Sequence, residues 1–198
     1  MAEKFLQLTV TDSVRASQQH YYGSVRGPGL PSANDALSQP EIAFIQSRDS
    51  FYLATISENE WPYIQHRGGR PGFLHVLAPT RLAFADFKGN RQLLSTGNLA
   101  SNDRVCLFLM DYPQRARLKI LGRAKVLDAR AQPELVIQLA GPEMRQLVER
   151  IFLIEVVAFD WNCPQHIVSR FTADEVAEAV APLKRRIAEL EEQLKGES

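Results

Sequence analysis

Through the middle of the chain, apolar positions alternate with polar ones at a period of two, the pattern of strands with one buried face. Such runs occupy residues 51–57, 63–66, 73–77, 81–85, 104–110, 117–127 and 151–159, and turn formers such as Glu58-Asn59-Glu60 separate them. Helical spacing interrupts them only over 93–99 and 133–149. Hairpin-linked strands with few helices between them predict a mainly β (β+α) fold. Its antiparallel sheet should curl into a barrel, unlike the parallel sheet of a doubly wound fold. No internal repeat of solenoid period is present.

The two ends carry other patterns. Residues 11–40 are rich in Ser, Gly, Pro and Gln, with Gly27-Pro28-Gly29 and Leu30-Pro31 as breakers, and predict a short helix followed by an irregular arm that wraps a partner surface. Ser38-Gln39-Pro40-Glu41 sets an N-cap, a proline and a capping-box glutamate ahead of a helix through about Arg48. Near the C-terminus, Thr172-Ala173-Asp174-Glu175 fits a second capping box. Leu183, Ile187, Leu190 and Leu194 then form a narrow apolar stripe flanked by charge, with Pro182 expected to kink the helix. Packing on its own barrel and pairing across a dimer both account for that stripe. The expected organisation is an N-terminal helix and arm over 1–40, a barrel domain over 41–171 and an amphipathic helix over 172–198.

Composition narrows the function classes. With 198 residues the chain supports one good core, and Lys+Arg equals Asp+Glu at 23 each. No whole-molecule field favours nucleic acid or an anionic membrane, so an anion site has to be local. No stretch reaches the roughly 18 apolar residues of a membrane span, and Met1-Ala2-Glu3-Lys4-Phe5 lacks a signal core, so the expectation is a cytoplasmic protein. Cys106 and Cys163 read as reduced thiols. His20, His66, His75 and His166 lack metal-motif spacing, so no metal site is expected. Serine-elbow, Walker and dinucleotide fingerprints are missing, so a cofactor has to carry any reaction.

Candidate chemistry gathers in two basic Gly-rich turns. Arg67-Gly68-Gly69 with Gly72-Phe73 offers bare backbone and a planar guanidinium to a ring or a phosphate; a plain hairpin with exposed arginines is the structural alternative. Lys88-Gly89-Asn90-Arg91 precedes a helix whose N-terminus attracts anions and whose Ser95 and Asn98 add donors. Arg117 opens a strand at a position suited to an anion contact. Trp161, Asn162 and His166 form an aromatic, amide and imidazole run that serves either as a ligand wall or as a satisfied turn.

In order, Phe51-Tyr52-Leu53-Ala54-Thr55, Trp61-Pro62, Arg67-Gly68-Gly69, Gly72-Phe73, Leu82-Ala83-Phe84-Ala85-Asp86, Gly89-Asn90-Arg91, Asn98-Leu99, Arg104-Val105 and Gly122-Arg123-Ala124 resemble the pyridoxamine 5′-phosphate oxidase-related FMN-binding split-barrel proteins. The resemblance spans about residues 40–160. It implies a six-stranded antiparallel split barrel that dimerises with FMN at the subunit interface. It also implies phosphate and flavin contacts from Arg67 with its turn, Asn90 and Arg91. Arg117 falls where the oxidases place a flavin-touching glutamine, and a cation there favours negative charge on the reduced ring. The Tyr, Arg and Ser group that holds substrate phosphate in the oxidases has no counterpart over 132–149, and a charged helix replaces their Arg-Leu-x-Pro type ending.

The expectation is therefore an FMN-dependent oxidoreductase acting on a small molecule other than pyridoxamine 5′-phosphate. The alternative is a non-catalytic module that holds flavin, haem or a deazaflavin as a sensor, carrier or store. No residue earns a proton-transfer role, with His166 the nearest candidate.

Overall fold

The computed structural model describes residues 3–25, 27, 32–161 and 165–196. Expectations for Pro28 to Pro31, Asn162, Cys163 and Pro164 lie outside the described residues. The described chain forms two compact units, 1–110 with 117–163, and 111–116 with 164–198.

The first unit opens with α1 (Glu3–Thr9), α2 (Asp12–Tyr22) and α3 (Gln39–Gln46). The strands then follow: β1 (Ser50–Ile56), β2 (Pro62–Gly68), β3 (His75–Ala78) and β4 (Arg81–Phe87). After α4 (Leu94–Ser101) come β5 (Arg104–Asp111), β6 (Ala116–Asp128), α5 (Pro133–Ala140) and β7 (Val148–Trp161). The second unit holds the β5–β6 turn and α6 (Ala173–Gly196).

The described residues form one antiparallel sheet in the order β2-β1-β5-β6-β7-β4-β3. The strand count is seven, in line with the seven period-two runs, and it corrects the six strands that the family resemblance implies. The physical reason is the run after the first Gly-rich turn: it pairs with β4 through a bulge between Val76 and Ala78 and becomes an edge strand.

Four strands lie between β2 and β4 in this order, yet Arg67 of β2 donates to Asp86 of β4 at 2.7 Å. Phe51 of β1 likewise meets Phe84 of β4 edge-on, with ring centroids 5.4 Å apart. The sheet is therefore curled on itself, as the strand pattern predicts.

Alternation explains the interior. β5 buries Val105, Leu107 and Leu109, while β6 buries Leu118 and Ile120. Phe84 and Phe152 stack at 4.8 Å in the centre. Each such fully buried side chain contributes roughly 1.5–3 kcal/mol. Where β6 and β7 slip register between Leu121 and Gly122, a Cβ on Gly122 would come within 2.8 Å of the Glu155 carbonyl.

The described end of the arm bonds to its own chain. Asp35 N–H donates to the Val157 carbonyl at 3.0 Å, its carboxylate accepts from Phe159 N–H at 3.2 Å, and Leu37 N–H bonds the Pro79 carbonyl at 2.7 Å.

The predicted capping boxes form. Glu41 accepts from the Ser38 backbone N–H at 3.0 Å, and Thr172 and Glu175 cap each other reciprocally at 2.7 and 3.2 Å. Helix over 133–149 is only partly realised: Gly141, at φ +79°, ends α5, and a single 3₁₀ turn, Arg145–Leu147, precedes β7. No helix of the described residues is long and apolar enough to cross a membrane.

Candidate cofactor site

β2 alternates between exposed and half-buried positions, so Tyr63, Gln65 and Arg67 share one face. That face borders a cleft of about 250 Å³. The end of β4, the loop 88–93, the first turn of α4 and Arg150 of β7 complete it.

The loop turns sharply between β4 and α4. Arg91 and Leu93 adopt φ of +63° and +54°, which turns the backbone sharply into α4. Asn90 closes a local turn by accepting from Gln92 N–H at 3.1 Å, and its amide donates to the Gln92 side chain at 3.0 Å. The first intrahelical bond of α4 runs from Gly97 N–H to the Leu93 carbonyl at 2.8 Å. The N–H groups of Leu94, Ser95 and Thr96 precede it, and no side chain caps this end. A Cβ on Gly89 would meet nothing within 4 Å, so the backbone there is open to a ligand.

Ser95 is buried and donates from Oγ to the Gln65 Oε1 at 2.8 Å, which joins the helix start to β2. Asn98 faces elsewhere, donating to the Thr55 hydroxyl at 2.9 Å.

At the inner end of the cleft stands a charge cluster. Asp86 accepts from Arg67 at 2.7 Å and from Arg150 Nε at 2.8 Å, and Arg150 also reaches Glu149 at 2.9 Å. The Arg67 guanidinium lies 4.9 Å from the Phe152 ring centroid and 5.4 Å from that of Phe84. Its Nε is buried with no hydrogen-bond partner among the described residues. Three guanidinium groups against one carboxylate leave the cleft lining cationic.

The other predicted residues sit apart from this cleft. Gly68 ends β2, and Gly69 and Gly72 donate to the Asp49 and Arg48 carbonyls at 2.8 and 3.2 Å. A Cβ on Gly69 would lie 2.6 Å from the Phe73 ring, and Phe73 stacks on Phe51 at 5.5 Å. This turn therefore packs onto the core. Lys88 is exposed and outside the cleft lining.

Trp161 donates from Nε1 to Glu41 at 2.7 Å and meets Phe44 edge-on at 4.8 Å, which binds β7 to α3. Burial pushes the Glu41 carboxyl upward, but hydrogen bonds from Ser38 and Trp161 outweigh it and hold the pKa below the ordinary value. His166 belongs to the second unit, is exposed and has φ +64°.

Arg117 lies on the outer face of the sheet, its guanidinium 5.1 Å from the Phe108 ring centroid, with a buried Nε unpaired among the described residues. Tyr52 sits opposite both Phe108 and His66, and Ala54 opposite both Cys106 and Ile64. This outer face is apolar for a surface: Ile64 is 64% exposed and Tyr52 40%.

Tyr63, Gln65, Asp86, Gln92, Thr96 and Arg150 are cleft residues that the sequence reading did not single out. The period-two rule would have found Tyr63 and Gln65, since they share a strand face with Arg67. Nothing local marks Arg150, which reaches the cleft only because β7 pairs with β4.

Solved structures give the same fold. A candidate pyridoxamine 5′-phosphate oxidase from Lactobacillus delbrueckii is 15% identical, with a TM-score of 0.50 covering 63% of this chain and 93% of that one. Group A Streptococcus HupZ is 12% identical, with a TM-score of 0.50 covering 68% and 99%. No curated protein sequence matches the chain. The family model for pyridoxamine 5′-phosphate oxidase matches residues 40–155, more than half the chain, and the protein belongs to that family.

Proposed function

We propose that the protein binds FMN non-covalently in this cleft and acts as an FMN-dependent oxidoreductase. The observation that carries this reading is the convergence of Arg91, the open backbone at Gly89 and the uncapped start of α4 on one cationic cleft. Together these are the donor set of a phosphate monoester. Arg67 also lines the cleft, with its guanidinium paired to Asp86.

In this reading Arg91, Asn90 and the α4 N–H groups, that of Ser95 among them, hold the phosphate, while Arg67 and Gln65 orient the rest of the cofactor. Bound FMN supplies hydride or electron transfer through its ring, and the protein supplies orientation and electrostatics.

The same reading makes the protein a homodimer, with the apolar outer face around Ile64, Tyr52 and Phe108 against a second copy. Arg117 lies on that face, so it reaches a cofactor only from across such an interface. As a cation there it raises the potential of bound flavin, and Arg117→Gln lowers the midpoint.

One observation favours a non-catalytic carrier instead. Among the described residues Asp86 is the only carboxylate lining the cleft and is engaged by two guanidinium groups, and no histidine or cysteine of the described residues lines it. Rapid reduction of the bound flavin by a nicotinamide nucleotide separates the enzyme from the carrier.

The test of the proposal is the visible spectrum of the purified protein, with chromatography of whatever heat releases. A flavin spectrum with FMN released supports it. A colourless protein that also fails to take up added FMN overturns it, and a Soret band redirects the site to haem.

A further inference from the structure

Apolar residues recur along α6 at alternating spacings of four and three: Val176, Val180, Leu183, Ile187, Leu190 and Leu194. In heptad terms Val180, Ile187 and Leu194 occupy a, while Val176, Leu183 and Leu190 occupy d. Leu183 is 63% exposed, Ile187 56% and Leu190 42%, so the seam stands open to solvent.

We infer that α6 pairs with α6 of a second copy of this chain as a parallel, in-register, two-stranded coiled coil. Three features choose this occupant. First, β-branched residues at two of the three a positions with leucine at the central d positions favour two parallel strands. Second, the flanking charges are self-complementary: Arg186 falls at g and Glu191 at the following e, so each Arg186 faces the other chain's Glu191. The preceding g–e pair is Ala179 with Lys184, and no like charges oppose each other there. Third, Pro182 takes position c, so its ring stays out of the seam, and Leu183, Ile187, Leu190 and Leu194 all lie on the C-terminal side of any bend it makes.

Arg186 already bonds Glu189 on its own helix at 3.0 Å, but both side chains are 60% exposed, so the pair is weak and exchangeable. A membrane is a poor occupant, because the polar side mixes Lys184, Arg185 and Arg186 with Glu189, Glu191 and Glu192.

This pairing is separate from the outer sheet face invoked above and does not depend on the cofactor. The test places single cysteines in the full-length chain in a Cys106→Ser, Cys163→Ser background. Leu183→Cys and Leu190→Cys are oxidised in air separately and compared on non-reducing gels with Arg185→Cys on the outer face.

In a parallel in-register pair each seam residue meets its own copy within disulfide reach, so both variants cross-link several-fold more than Arg185→Cys. An antiparallel pair can bring at most one of the two opposite itself. A helix covered by its own barrel brings neither. Cross-linking of only one, or of neither above the control, overturns the inference. The flavin spectrum of the same samples keeps the two readings apart: cross-linking without flavin preserves the helix pairing and rejects the cofactor.

Discussion

The two Gly-rich basic turns look alike as sequence and do different things in the structure. The first, after β2, is filled by its own core: Gly69 is glycine because Phe73 occupies the space a Cβ would need, 2.6 Å away. The second, before α4, faces open space at Gly89 and points backbone N–H groups and Arg91 into a cleft. Glycine and arginine therefore do not make an anion site by composition. The deciding factor is what the fold packs against the turn. Arg67 is where the two regions meet, since its strand leads into the first turn while its guanidinium stands in the cleft formed by the second.

The sharpest way to break this comparison is to remove the residue that holds the cleft's cations together. Asp86→Ala leaves the half-buried Arg67 guanidinium without its carboxylate, while Arg150 keeps Glu149, and should cost about 3–5 kcal/mol of stability in urea unfolding. A loss below about 1 kcal/mol would mean that the cluster is a solvated surface pair.

Arg91→Gln comes next. It removes a charged donor from the open turn, so FMN affinity should fall by about 1.5–3 kcal/mol, roughly ten- to hundredfold, with unfolding of the cofactor-free protein unchanged within about 0.5 kcal/mol.

Gly69→Ala should do the reverse, costing about 1–3 kcal/mol of stability by overpacking against Phe73 while FMN affinity per folded molecule stays as it was. If Gly69→Ala weakened binding and Gly89→Ala weakened folding, the assignment of the two turns would be inverted.

The smallest effect is a pH dependence. The folded pKa of Glu41 lies below its ordinary value of 4.5, so its ionised, hydrogen-bonded form contributes stability above that pH. That contribution is lost as pH falls through the folded value. The stability gap between wild type and Glu41→Gln should therefore be near 1 kcal/mol at pH 6 and close on acidification below about 4.5. A gap that widens toward acid would contradict the role of the Trp161 and Ser38 bonds.

What could be read from the sequence follows physical range. The strand runs were legible because period-two burial is a local property, and both capping boxes because their partners lie three residues apart. The loop at Asn90 and Arg91 was legible because it joins a strand to a helix start. Arg150 and the clamp on Asp86 were not legible: they exist only because the sheet curls until β2, β4 and β7 converge, a long-range event that leaves no trace in neighbouring residues. The packing of Gly69 on Phe73 was hidden for a related reason, since the sequence shows a glycine but not what presses on it. The short edge strand β3 was legible as the run 73–77, and six strands were only what the family resemblance implied.

The central claim is that the cleft before α4 recognises a phosphate. Equilibrium titration of the cofactor-free protein with FMN and with riboflavin, which lacks only that phosphate, tests it most directly. The account predicts FMN binding about a hundredfold or more tighter than riboflavin, with most of the difference erased by Arg91→Gln. Equal affinities for the two would contradict it.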